Sequence, residues 1–259
     1  MSSRSIRSLV ERLLRTLRGS GPSDQAGGIE EEIRFWRNWL ESRGLEWPQD
    51  YTDRFDPHRP LAEHLAGYVD RLAADHVHIL DVGAGPLTKL GGTHPSCRLT
   101  ITPTDLLAEE YDRLLDELGI EPPIRTVYAD AQALGERFGQ TRFDVVHGQN
   151  CIDHTSDPLR AIDEMMGVCR PGGFVVLLHC ENEGRSHRYT RLHQWDFRCK
   201  DGAFVIGDRD GRETNVTERV ADRGEVECTR RGTGADATIL TAIRMGVPVD
   251  GPQSPLPGA

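Results

Sequence analysis

One stretch constrains this chain more than any other: His78-Ile79-Leu80-Asp81-Val82-Gly83-Ala84-Gly85-Pro86. A short apolar strand closes on an acidic residue and runs directly into a turn with two glycines one residue apart. Neither glycine has a Cβ, so the backbone can pass very close to a ligand, as it does at nucleotide-type sites. The glycine pair alone does not name that ligand. In the dinucleotide fingerprint a third glycine follows three residues after the second and lets a helix pack tightly beneath a pyrophosphate. Thr88 stands at that place, so the turn reads as one that cradles no pyrophosphate.

The chain downstream alternates strand and helix. Leu87 to Pro95 leaves room only for a short crossover helix before the strand Arg98 to Thr102, and Asp105 follows that strand. An acidic side chain there stands opposite a ribose in a doubly wound fold; capping the helix Leu107 to Leu118 is its other reading. Pro122-Pro123 breaks that helix. A third strand, Ile124 to Tyr128, ends at Asp130, whose carboxylate can accept from an exocyclic adenine amine or cap the helix Ala131 to Phe138. Then come the strand Phe143 to His147, the segment Gly148 to His154, a helix Asp157 to Cys169, the turn Pro171-Gly172-Gly173 and the strand Phe174 to His179. Such alternation gives parallel strands whose ends converge on one ligand-collecting edge.

The series Asp81-Val82-Gly83-Ala84-Gly85, Asp105, Asp130-Ala131, Phe143-Asp144-Val145-Val146 and Arg170-Pro171-Gly172-Gly173-Phe174 resembles the class I S-adenosylmethionine (SAM)-dependent methyltransferases in order and spacing. The likeness spans about Leu61 to Cys180. It implies an α/β fold: a Rossmann-like, doubly wound, mostly parallel sheet with an antiparallel C-terminal hairpin, plus N-terminal helices. It also implies SAM as cofactor. Asp81, Gly83, Ala84 and Gly85 would lie at the methionine end, Asp105 with Leu106 at the ribose, Asp130 with Ala131 at adenine, and Asn150 with Cys151 beside the methyl donor. Two departures concern the methionine carboxylate: the short crossover helix and Pro86 directly after the second glycine. Phe35 to Leu40 and His193 to Phe197 are similar to bacterial methyltransferases of polysaccharide and natural-product pathways. The acceptor class that follows is a hydroxyl or amine of a small, sugar-containing or natural-product molecule.

The remaining chain divides into four expected regions. Residues 1–28 comprise a basic amphipathic helix, Ser5 to Arg18, and a Gly/Ser-rich linker from Gly19. A helix of this kind suits docking or homodimer formation, with contact to an anionic membrane surface as the alternative. Residues 29–76 form a helical cap: one helix from Ile29 to Gly44, then turns, then a helix opened by Pro60. Residues 77–247 form the catalytic domain, closing in the short strand-like runs Ala203 to Gly207, Glu213 to Val220, Glu225 to Thr229 and Ala237 to Met245. Residues 248–259 are a loose, Pro- and Gly-rich tail.

A net charge of -10 argues against a nucleic-acid partner, and the chain contains no transmembrane apolar run or secretory signal. A cytoplasmic protein with a small-molecule partner is expected. Six cysteines at irregular spacing, with no CxxC pair, fit reduced thiols and no structural metal. For a hydroxyl acceptor a histidine base is the usual means of removing the proton. His154 with Asp153, just past the fourth strand, are the first candidates, then His193; His179 is weaker. Asp153, Glu181, His193 and Asp196 supply hard ligands for a divalent cation, but their spacing does not require one. Two further classes fit less well: a non-catalytic scaffold of the same fold, disfavoured by the intact acidic and glycine positions, and an NAD(P)-dependent oxidoreductase, disfavoured by Thr88.

Overall fold

The computed structural model describes residues 22–247. The expected basic helix at Ser5 to Arg18 and the tail from Pro248 lie outside them. Three helices lead in: α1 (Pro22–Ser42), α2 (Pro48–Arg54) and α3 (Glu63–Leu72). The expected linker is therefore shorter than read, because helix α1 already runs through Gly27 and Gly28. These glycines serve close approach: a Cβ on Gly28 would stand 2.8 Å from Cγ of Leu192, and one on Gly27 would overlap the Arg191 guanidinium. Trp47-Pro48 opens α2 where a turn was expected, since Pro is well placed in a first helical turn. Pro60 does not open α3; it bridges to Thr93 instead, with Leu61 N donating to Thr93 O at 2.8 Å.

The main sheet has seven strands in the order β3-β2-β1-β4-β5-β10-β9. Strands β1 (His76–Val82), β2 (Arg98–Asp105), β3 (Val127–Tyr128), β4 (Phe143–Gln149) and β5 (Cys169–Cys180) run parallel. β10 (Thr238–Met245) and β9 (Gly224–Arg231) complete the sheet antiparallel, as expected. β6 (Asp196–Lys200), β7 (Ala203–Gly207) and β8 (Glu213–Asn215) form a separate three-stranded sheet. The expected strand Glu213 to Val220 is thus cut short, because Asn215 caps the helical turn Val216–Arg219 by accepting from Glu218 N. Between the sheets' elements lie α4 (Ala108–Leu118), α5 (Leu134–Phe138), α6 (Pro158–Val168) and the turn α7 (Glu183–Ser186). The turn expected at Pro171 to Gly173 is absorbed into β5, which changes register against β4 between Phe143 and Val145.

The pleat explains why the central strands read as unbroken apolar runs. Side chains alternate faces along a strand, and both faces are covered. Leu80, Val82, Val146, Val175 and Leu177 pack with Ile162 and Met165 of α6. Val77, Ile79, Val145, Phe174 and Val176 pack on the other face with Leu65 and Val69 of α3. A third cluster joins Ile29, Trp39 and Leu40 of α1 to Tyr111, Leu114 and Leu115 of α4, which seats α1 over the strand ends. Trp39 is 1 % exposed and sits edge-on to Trp36 at 5.5 Å. Trp39→Ala is expected to destabilise the fold by ~3–5 kcal/mol, read as a lower denaturant midpoint at unchanged slope; an unmoved midpoint would refute this placement of α1.

The expected crossover helix after the glycine turn does not form. Residues 83–97 contain no helix; the loop is instead strapped to the segment before α3, with Ala62 N donating to Leu90 O at 2.7 Å and Gly92 N to Arg59 O at 2.9 Å. The positive φ at Gly83 and Gly85 takes the backbone out of the helical region at the turn.

Candidate active site

The C-terminal ends of β1, β2 and β4 open into a cavity of about 290 Å³, close to the ~300 Å³ lower bound usual for small-molecule sites. Asp81, Gly83, Ala84, Gly85, Asp105, Leu106, Asp130, Ala131, Asn150 and Cys151 all line it, and so does His154. The cavity therefore collects every residue that the sequence assigned to the cofactor. Ile29, Glu32 and Trp36 of α1 and Leu192 also line it.

The glycine turn is built for close approach. Gly83 and Gly85 have φ of +68° and +66°, which a side-chain-bearing residue rarely adopts. A Cβ on Gly83 would stand 2.3 Å from Cβ of Cys151, and one on Gly85 2.7 Å from the Trp36 ring. The turn is held at both ends: Ala84 N donates to Thr104 O at 2.9 Å, and Thr126 Oγ1 donates to Gly85 O at 2.7 Å.

Asp105 accepts from Gly85 N at 3.1 Å and from Leu107 N at 2.8 Å. Burial pushes its carboxyl up to about 6, only partly offset by those two N–H groups. Asp130 accepts from Gln132 N at 2.8 Å, and burial raises its carboxyl too. Neither aspartate caps the helix that follows, whose caps are Leu107 and Ala133 without a side-chain bond; each lines the cavity and accepts from the backbone N–H two residues on. Asn150 sits in the left-handed region at φ +47°, and its Oδ1 accepts from Cys180 N at 3.0 Å, tying β4 to β5. Cys151 donates its thiol to Val82 O at 3.1 Å, and burial pushes its pKa well above the usual value.

Sequence reasoning assigned Asp81 but missed His147, Arg54 and Lys89 at the cavity and His64 behind it. Asp81 is 4 % exposed; it accepts from Thr88 Oγ1 at 2.6 Å and pairs with His147 Nδ1 at 2.7 Å. His147 Nε2 meets His64 Nε2 of α3 at 3.0 Å. Burial, followed by the His147 charge, pushes His64 down to about 4. Thr88 thus serves the acid that opens the motif. Arg54 and Lys89 line the same cavity and share Asp50, at 3.0 and 3.5 Å. No local motif marks Arg54 or His64, which the packing of α2 and α3 on the sheet brings in.

The candidate catalytic residues come together. His193 Nδ1 lies 3.0 Å and His154 Nε2 3.5 Å from Asp153 Oδ2, and the two imidazoles meet edge-on at 4.7 Å. His154 alone of the three lines the cavity. Burial pushes the Asp153 carboxyl up, but the His154 charge, the hydrogen bond from His193 and the charge of His179 outweigh it and bring the value to about 2. Burial lowers His193, and its bond to Asp153 together with the charges of Asp153, Glu183 and Glu32 more than reverses this. His179 makes no hydrogen bond to Asp153: its Nε2 accepts from Ile152 N at 3.4 Å, it meets Phe197 edge-on at 4.5 Å, and burial pushes it to about 4. Glu181 and Asp196 stand apart: Glu181 pairs with Arg230, and Asp196 accepts from Arg185 N and Tyr189 Oη.

With this geometry established, comparison with known proteins is decisive at one point: residues 80–177, which hold the glycine turn, Asp105, Asp130 and Asp153, match the model of a methyltransferase domain. Over that stretch the chain is similar to methyltransferases. It is also similar to the phosphatidylethanolamine N-methyltransferase of Cereibacter sphaeroides, 32% identical over 117 residues that make up 42% of this chain and 56% of that enzyme. The chain thus matches only a little over half the length of this relative. Among solved structures, the chain resembles the Burkholderia thailandensis 1,6-didemethyltoxoflavin-N1-methyltransferase, at 16% identity and TM-score 0.44 over 88% of this chain and 92% of that one. It also resembles N-methyltransferase NodS of Bradyrhizobium japonicum, at 18% identity and TM-score 0.42 over 71% and 94%.

Proposed function

We propose that this chain is a SAM-dependent methyltransferase acting on a hydroxyl or amine of a small, sugar-containing or natural-product acceptor. The observation that carries the reading is one cavity holding the glycine turn, Asp105, Asp130 and Asn150, with the Asp153–His154–His193 cluster at its wall. The cavity residues fit the cofactor: a turn at the cavity wall with both glycines at positive φ, carboxylates at the ends of β2 and β3, and the cations Arg54 and Lys89. Asp105 would hold the ribose hydroxyls and Asp130 with Ala131 would face adenine. Arg54 and Lys89 would take the methionine carboxylate, replacing the missing helix N-terminus. When bound, SAM supplies a methyl group on a sulfonium, displaced in line by the acceptor.

The chain's own part is alignment and proton removal. Holding the reacting atoms at ~3–3.5 Å supplies much of the rate. His154 takes the acceptor's proton, and Asp153 stabilises the imidazolium that forms, while His193 anchors the aspartate. Similarity to a phosphatidylethanolamine N-methyltransferase supports an amine acceptor, a phospholipid headgroup included, as the second reading. A cytoplasmic location and a homodimer through the N-terminal helix belong to the same proposal. Among the described residues no helix is long and apolar enough to cross a membrane.

Calorimetric titration with SAM and with NAD tests the reading, and it carries a pH signature. Asp105 must be ionised to accept two hydroxyls, and its carboxyl titrates at about 6. SAM affinity is therefore expected to rise as pH climbs from 5 to 7, by up to about tenfold per unit below that value. Asp105→Asn should flatten this dependence and weaken binding ~10–100-fold at pH 8. Binding of NAD in preference to SAM, or a wild-type pH profile in Asp105→Asn, counts against the assignment.

A further inference from the structure

Asp153, His154 and His193 carry donor atoms that all lie within 4.8 Å of one another. The two imidazole nitrogens stand 3.0 and 3.5 Å from Asp153 Oδ2. A tetrahedral ion with N and O ligands at about 2.0–2.2 Å spaces neighbouring donors ~3.3 Å apart; the two carboxylate–imidazole separations match this, and the two imidazoles lie within 4.8 Å of each other. A second observation points the same way. Asp153 is 2 % exposed, yet its Oδ1 has no hydrogen-bond partner, and a bare buried carboxylate oxygen is unfavourable unless something binds it.

We propose that Asp153, His154 and His193 bind one divalent first-row transition cation of the Zn²⁺ type. Two imidazoles and a carboxylate suit such an ion, whereas Ca²⁺ and Mg²⁺ favour oxygen ligands throughout. Three protein ligands leave a coordination position for a small molecule, and His154 puts the ion at the cavity wall. Surrounding groups fix His193: His187 stacks on it at 4.0 Å, and Glu183 Oε1 lies 3.2 Å from His187 Nε2 and 3.8 Å from His193 Nδ1. Glu183 therefore adds a negative charge beside the ligating Nδ1 and makes no bond to the ring's other nitrogen. The spacing in sequence hides the site, since His193 lies forty residues beyond Asp153. As a binding site the cluster stands alone; its purpose rests on the methyltransferase reading, in which the cation lowers the pKa of an acceptor hydroxyl and takes over the part otherwise played by His154.

Full-length protein stripped of metal with a chelator is titrated with Zn²⁺ by calorimetry and with Co²⁺ by visible absorption. One equivalent is expected to bind, with Co²⁺ ligand-field bands and no thiolate charge-transfer band. His193→Gln and Asp153→Asn should each weaken Zn²⁺ binding at least ~100-fold, and Glu183→Gln, which keeps all three ligands and removes only a neighbouring charge, less than either. No binding by the wild type at high micromolar metal overturns the proposal, as does a thiolate band, which would move the ion to the cysteines. Affinity unchanged in both ligand variants overturns it too. SAM titrated into the same samples separates the two ideas: SAM binding without Zn²⁺ binding removes the cation site alone, and Zn²⁺ binding without SAM binding removes the methyltransferase reading alone.

Discussion

In Gly83→Ala, SAM binding is expected to fall at least ~100-fold by calorimetry. Two effects add. At φ +68° an alanine pays ~1–3 kcal/mol of backbone strain. Its Cβ would also meet Cys151 Cβ at 2.3 Å and Sγ at 2.7 Å, distances that force the two segments apart. Both segments line the cavity, so relaxing the contact moves the walls that would touch the cofactor. Each 1.4 kcal/mol is about tenfold in affinity, which sets the expected size. Cys151→Gly in the same background removes the steric partner and leaves the dihedral strain, so the double variant should recover part of the loss. Wild-type affinity in Gly83→Ala would mean that the turn is not where the cofactor lies.

Asp153→Asn is expected to lower kcat ~10²–10⁴-fold, the range spanned by general-base catalysis, with a smaller change in SAM affinity. The substitution keeps the shape and removes the charge that holds His193 at 3.0 Å and faces His154 at 3.5 Å. Stability should change as well. The Asp153 carboxyl sits at about 2 in the folded protein, against 3.8 for the free side chain. That difference amounts to about 2 kcal/mol. A depressed carboxyl stabilises the fold fully above about pH 4, and the contribution disappears as pH falls towards 2. Urea denaturation of wild type and variant at pH 7 should therefore differ by about 2 kcal/mol, and the gap should close on acidification. Unchanged kcat in a folded Asp153→Asn protein would exclude the cluster from the reaction.

Much of the fold was legible because it depends on local patterns. The apolar runs at Ile79 to Val82, Val145 to Val146 and Phe174 to Leu177 marked strands covered on both faces, and each strand end carried a Gly, Asp or Asn that needs special backbone or capping geometry. The misreadings arose where distant packing overrides local preference. Gly27 and Gly28 read as a linker, yet they belong to a helix that meets Arg191 and Leu192 closely. The stretch after Pro86 suggested a short helix, but its hydrogen bonds go to Arg59 and Ala62. Pro60 had a favourable helix-start signal and is used in a bridge to Thr93 instead.

By itself the sequence determined the glycine turn, the order of the strands and the carboxylates at their ends, since period-two burial and glycine dihedrals act over a few residues. It could not decide what surrounds that turn. Arg54 and Trp36 reach the cavity because α1 and α2 pack over the strand ends. His64 reaches His147 because α3 lies against β4, and His193 reaches Asp153 across forty residues of chain. Those meetings depend on how helices and loops dock on the sheet. Docking is set by burial summed over many side chains, which no short stretch of sequence contains.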